Sequence, residues 1–211
     1  MQGIVLFLLL ASTYLMVIAK RIPALIRGFR YQSLFLFLVT FLTAYNENDI
    51  ELYLVSALIM LLKILLIPYF LNFTAKKINV DENLGLFVNS QLSLVFALLL
   101  TYCSWVLCVH LGFRQGSLQS VAATIALSII FIGAFLMISR VKAITQVVGI
   151  LVMENGIFLF ASFVSGGMPF FAEIAIFFDV FISVVIMGIF VFRINKLFTH
   201  IDVHKLSRLR G

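Results

Sequence analysis

Seven long apolar stretches, divided by short charged segments, constrain this chain more than any other feature. They run over Ile4–Ala19, Tyr31–Tyr45, Leu52–Ala75, Leu84–His110, Leu118–Ser139, Ala143–Val164 and Phe170–Phe192. The hydrocarbon core of a bilayer takes about 20 apolar residues per helix. Backbone polar groups there must pair internally, so only helices and closed barrels cross it. Barrel strands alternate apolar and polar residues over about 10 positions, and these stretches do not. Composition excludes the remaining classes. The chain is 63% apolar and 11% charged, against about 45–50% and about 25% in a soluble domain. An ordinary globular domain, a disordered chain and a disulfide scaffold are all ruled out. The expected fold is all-α, a polytopic membrane protein of about seven transmembrane helices.

The cations predict the orientation. Cytoplasmic loops carry an excess of Lys and Arg. Alternate connections hold Lys20, Arg21, Arg27 and Arg30, then Lys76 and Lys77, then Arg140 and Lys142, and finally the tail with Arg193, Lys196, Lys205, Arg208 and Arg210. The opposite side holds Arg114 and the acidic segment Glu47, Asp49, Glu51. The N-terminus is therefore expected outside and the basic tail 193–211 in the cytoplasm. The formal charge of +6 follows from this asymmetry and requires no nucleic acid; the tail would meet anionic lipid. Met1–Leu10 carries no charge and the cations follow the first apolar run, unlike a cleaved signal peptide. The first helix is expected to stay as an anchor.

Metal ligands are sparse. Cys103 and Cys108 stand five apart in one helix, which is not a facing interval, and read as packing residues. Without a Cys-x-x-Cys pair, no iron–sulfur or zinc site is expected in this chain. His200 and His204 have a chelating interval but no evident third ligand.

Ionisable residues inside membrane helices are costly, about 2.5–3.5 kcal/mol each on insertion scales, and are the first place to look for function. Four stand out: Lys63, Glu154, Glu173 and Asp179. Lys63 is at the middle of its helix, roughly 17 Å from either end at 1.5 Å per residue. Snorkelling over that distance is unfavourable, so Lys63 must face a carboxylate or a wet cavity. Pro68 disturbs the same helix five residues on. Glu154 is also central, with Asn155 beside it and Gly149 and Gly156 allowing close helix approach. Desolvation favours the neutral form of a carboxyl group and a nearby cation the ionised form; poised between them, Glu154 is the first candidate proton carrier. Asp179 is expected near the depth of Glu154, and Glu173 about 9 Å nearer the outer end. The polar run Asn89-Ser90-Gln91 would interrupt the fourth helix, as a water path or as interhelical hydrogen-bonding glue.

The stretch Gln146–Phe160, centred on Met153-Glu154-Asn155, resembles the second helix of the K-type subunit of respiratory complex I. Ala172-Glu173-Ile174-Ala175-Ile176 resembles the surroundings of that subunit's second glutamate, while depth from the cytoplasmic end points to Asp179. The tail from Ile201-Asp202 to Arg210-Gly211 is also similar. Four extra N-terminal helices make the whole chain more similar to the hydrogenase-4 component E family. That resemblance divides the chain into a four-helix region 1–112, a K-like three-helix region 113–192 and the tail 193–211. It implies a multi-pass subunit in a prokaryotic inner membrane, belonging to a complex-I-like hydrogenase or formate hydrogenlyase. Glu154, Asp179, Glu173 and Lys63 would form part of a proton relay. Antiporter-like membrane subunits would pack alongside, and nickel–iron and iron–sulfur centres would reside in soluble partners. No cofactor is expected in this chain. The alternatives are a small subunit of a multisubunit sodium/proton antiporter, and a passive scaffold whose buried charges only fix helix register. The sequence supports neither a freestanding enzyme, lacking a nucleophile–base pair or phosphate loop, nor a freestanding transporter, lacking an evident inverted repeat.

Overall fold

The computed structural model describes residues 2–48, 50–77, 89–140 and 142–164. Within them every regular element is a helix. In chain order these are α1 (Gln2–Ile18), α2 (Ile22–Glu47), α3 (Ile50–Ile59), a π-helical segment (Met60–Leu66), α4 (Ile67–Lys77), α5 (Ser90–His110), α6 (Leu118–Ser139) and α7 (Ala143–Val164). The π segment joins α3 and α4 end to end, so the three make one rod. Five helical spans are long and apolar enough to cross a membrane, and α1 is a shorter apolar helix of 17 residues. The described part is thus a multi-pass membrane bundle. Its outer surface agrees, because large apolar residues such as Ile4, Leu15, Leu54, Leu98 and Tyr102 stand exposed. The expected seventh span, Phe170–Phe192, lies outside the described residues.

The last two described helices match the sequence-based bounds, Leu118–Ser139 and Ala143–Val164. Ser117 caps α6 by accepting the backbone N–H of Ser120 at 3.1 Å, which satisfies one of the orphan donors of a helix start.

Two other boundaries are corrected. The second helix starts at Ile22, not at Tyr31. Arg27 and Arg30 are therefore on a helix, and the connection shrinks to residues 19–21. Pro23 in the first turn suits this start, since a helix leaves its first N–H groups unpaired anyway. The buried residues Ile22, Leu25, Ile26 and Phe29 follow helical spacing, with Arg27 and Arg30 on the exposed side. A search for unbroken apolar sequence passes over such an amphipathic turn. Asn48 ends α2 in the left-handed region, at φ 52°, with its N–H on the Ala44 carbonyl. The second correction concerns Asn89-Ser90-Gln91. Ser90 and Gln91 open α5, with Asn89 at the cap position; residues 84–88, where the expected span begins, lie outside the described residues. Asn favours such ends because its side chain competes with helical hydrogen bonds.

The helices pack as a layer around α1 and α2. Helix α1 lies against α2, α5 and α6; α2 lies against α3, the π segment, α4 and α7; α6 and α7 form the most extensive pair. One apolar core, including Leu9, Met16, Phe29, Leu36, Ile129 and Val152, runs through all of them. The α6–α7 contact is backbone to backbone. A Cβ on Gly149 would fall 2.7 Å from the Met137 nitrogen, and one on Gly156 2.8 Å from the Ala126 carbonyl oxygen. Small residues make this approach possible, as in membrane helix pairs generally.

Arg140 secures the other side of α6. It is 1% exposed. Its Nη2 donates to the Val17 carbonyl at 3.0 Å and the Met16 carbonyl at 3.4 Å, and its Nη1 to the Ala19 carbonyl at 3.4 Å. These are carbonyls at the C-terminal end of α1, where a helix lacks intrahelical donors and favours a cation. Burial pushes the guanidinium down to about 10, so it remains charged at neutral pH.

Gly149→Val is expected to destabilise the protein by about 1–3 kcal/mol or more through overpacking against backbone. A lowered thermal midpoint of the detergent-solubilised protein reports it. Gly3→Ala is the control: a Cβ there meets nothing within 4 Å, and the midpoint should hold.

Candidate functional site

The site begins with the π segment. Here the backbone pairs i with i+5; the N–H of Ile67 reaches the Leu62 carbonyl. Pro68 follows directly on this register. Its missing N–H would answer the Ile64 carbonyl in an α-helix and the Lys63 carbonyl in the i+5 register, so it breaks the regular ladder in either. Lys63 stands at the centre of this widened turn and is 1% exposed. The sequence predicts a disturbance of the helix near Lys63, and the structure gives it this form.

Helix α7 brings two groups to the ammonium. Glu154 Oε1 lies 2.9 Å from Lys63 Nζ. Lys63 Nζ also donates to Asn155 Oδ1 at 2.9 Å. Consecutive helical residues diverge by about 100°, so neighbours in sequence flank the ammonium from two directions. Glu154 is 4% exposed and Asn155 fully buried. Glu154 Oε1 meets Lys63 as an ion pair by distance, without hydrogen-bond angles, and Glu154 Oε2 has no hydrogen-bond partner among the described residues.

The network continues through α2 to α1. Asn155 Nδ2 donates to Gln32 Oε1 at 3.1 Å. Gln32 Nε2 donates to Thr13 Oγ1 at 2.8 Å. The Thr13 hydroxyl donates to the Leu9 carbonyl at 3.1 Å. Gln32 and Thr13 are both fully buried. Four rods thus contribute to one polar line in an apolar interior. Buried polar groups of this kind must be satisfied or they destabilise the fold.

Two of the four expected ionisable residues, Lys63 and Glu154, come together here. Glu173 and Asp179 lie outside the described residues, as do His200 and His204. Gln32 and Thr13 were not singled out from sequence. Their signal was faint: an amide in an otherwise apolar span and a threonine in another.

The sequence has relatives across most of its length. It is 26% identical over 203 residues to Rv0085, an uncharacterized protein of Mycobacterium tuberculosis, covering 96% of this chain and 92% of that protein. It is 28% identical over 159 residues to hydrogenase-4 component E of Escherichia coli K12, covering 74% of this chain and 72% of that protein. The same figures hold for hydrogenase-4 component E of Shigella flexneri. The resemblance of the chain to the hydrogenase-4 component E family is therefore supported, at moderate identity, over most of its length. No family model and no solved structure matches the chain.

Lys63→Met is expected to lower stability by about 3–5 kcal/mol, because it strands the buried Glu154 charge. Lys63→Met with Glu154→Gln should recover part of that loss. Thermal melts of the two single variants and the double variant give the coupling directly.

Proposed function

We propose that this homologue of hydrogenase-4 component E is a membrane subunit of a hydrogenase-type respiratory complex, and that Glu154 carries protons in its membrane arm. The observation behind the proton role is the Lys63–Glu154 contact at 2.9 Å, buried among apolar helices. Intramembrane ionisable pairs of this kind mark ion and proton paths. A carboxylate beside an ammonium responds to any shift of that ammonium, since their titrations are coupled. A conformational change in neighbouring subunits that moved the π segment would change the affinity of Glu154 for a proton. Glu173 and Asp179 would extend the path towards the outer side, with the N-terminus outside and residues 193–211 in the cytoplasm. Redox chemistry would belong to soluble partner subunits with nickel–iron and iron–sulfur centres, and antiporter-like subunits would flank this one in the inner membrane.

The decisive variant is Glu154→Gln. It preserves shape and hydrogen-bonding capacity and removes the titration. In everted membrane vesicles the complex should assemble and turn over electrons. Proton movement should fall on the order of 100-fold, the lower end of what a positioned proton-transferring group supplies. Undiminished pumping would mean that the pair only fixes helix register, as in a scaffold. Purification through a C-terminal tag tests the partners. Nickel–iron and iron–sulfur proteins are expected to co-purify, and antiporter subunits without redox proteins would point to a sodium/proton antiporter instead.

A further inference from the structure

The line of hydrogen bonds between α1 and the site takes its direction from the backbone of α1. A backbone carbonyl accepts hydrogen bonds and cannot donate them. The Leu9 carbonyl therefore receives the Thr13 hydroxyl hydrogen, at 3.1 Å. That hydroxyl has one hydrogen, so towards Gln32 its oxygen accepts, from Nε2 at 2.8 Å. A carboxamide has its donor and its acceptor on opposite atoms. With Nε2 committed to Thr13, Gln32 presents Oε1 to α7, where it receives Asn155 Nδ2 at 3.1 Å. Asn155 then turns Oδ1 to Lys63 Nζ, at 2.9 Å. Turning Gln32 over alone would set its Nε2 against Asn155 Nδ2, donor against donor. The three side chains are fully buried, so bulk water does not compete for their ends. The charge of Lys63 does not enter this sequence, because the protonated and the neutral amine both carry N–H groups that Oδ1 accepts.

Resting on the proposal that Glu154 carries protons, we propose further that Gln32 and Thr13 are positioning residues for it, acting through Asn155. Glu154 and Asn155 are successive residues of α7, and both approach Lys63 Nζ at 2.9 Å. An Asn155 held with its oxygen inward fixes the amine from one side while Glu154 meets it from the other. An Asn155 released by Gln32 can turn its amide nitrogen to the amine, and the amine then shifts against the carboxyl group. Displacements of about 1 Å by a remote substitution can cost a reacting site about 100-fold. Thr40 supplies the contrast. It is also a buried hydroxyl on α2, but it donates to the Leu36 carbonyl of its own helix at 3.0 Å and stands outside the line.

The test uses the intact complex in everted vesicles, driven by its own redox reaction. Proton uptake is followed with a quenched acridine dye and electron turnover on the same sample. A folding defect lowers both together, whereas a misplaced site lowers the protons moved per electron. Gln32→Met should lower that ratio about tenfold, and Thr13→Val about threefold or more, within the range that misplacement can cost. Thr13→Ser, which keeps the hydroxyl, should restore the parental ratio, and Thr40→Val should leave it unchanged. Gln32→Met with Thr13→Val should be no worse than Gln32→Met alone, because both act through Asn155. Proton movement at the parental rate in Glu154→Gln removes the premise. With Glu154→Gln defective, assembled Gln32→Met and Thr13→Val complexes with the parental ratio overturn the positioning role and leave that of Glu154 intact. If Gln32→Met does not assemble, the ratio in Thr13→Val decides. If neither assembles while Thr40→Val does, the line serves folding alone and the proposal fails.

Discussion

An ammonium at the middle of a membrane helix governs how this bundle is put together. Lys63 is roughly three turns from either end of its rod, too far for its head to reach the interface comfortably. It needs an anion and acceptors within the bundle. Helix α7 must therefore pass beside the π segment with Glu154 and Asn155 inward. Asn155 in turn needs an acceptor, which brings α2 close through Gln32, and Gln32 needs one on α1. A single buried charge thus sets the relation of four rods. Without water, unmet polar groups are expensive enough to select one register.

Two cations hold α1 in different ways. The line from Lys63 ends at the Leu9 carbonyl, near the middle of α1. Arg140, from the end of α6, gathers the carbonyls of Met16, Val17 and Ala19 at its C-terminal end. Lysine acts as a compact charge that a carboxylate and an amide of α7 approach from two directions. Arginine spreads its donors over three carbonyls, which suits a frayed helix end. Between these fastenings α6 and α7 meet through glycine, close enough for backbone atoms to touch any added Cβ. The α6–α7 pair is therefore a rigid wall, and Glu154 projects from its inner part.

Much of this was legible from residue type. Lys63 and Glu154 are ionisable in apolar surroundings, and that mismatch marks them whatever the fold. Asn155 was noticed only as a neighbour of Glu154, and Gly149 and Gly156 as points of close approach. Gln32 and Thr13 were not legible, because single uncharged polar residues are common in membrane helices and often bond to their own backbone. Thr40 does so, donating to the Leu36 carbonyl at 3.0 Å. Arg140 looked like one more loop cation because it stands next to the apolar end of a helix and two residues before Lys142. Arg27 and Arg30 seemed to belong to a loop for the converse reason: they are charged, although they stand on the exposed side of a helical turn.

The amino-acid sequence by itself determined the class of protein, the extents of α6 and α7 and the two charges that the interior must accommodate. Those follow from hydrophobicity and chain-local spacing, which need no knowledge of neighbours. Only the tertiary structure decided that Lys63 meets Glu154, 91 positions away, and that Asn155 links the contact to an amide on α2 and through it to a hydroxyl on α1. The physical reason is that a membrane helix is apolar on nearly every side, so its sequence carries little record of which face meets which neighbour. Hydrogen bonds and close backbone contacts, made only once the helices are side by side, supply that choice.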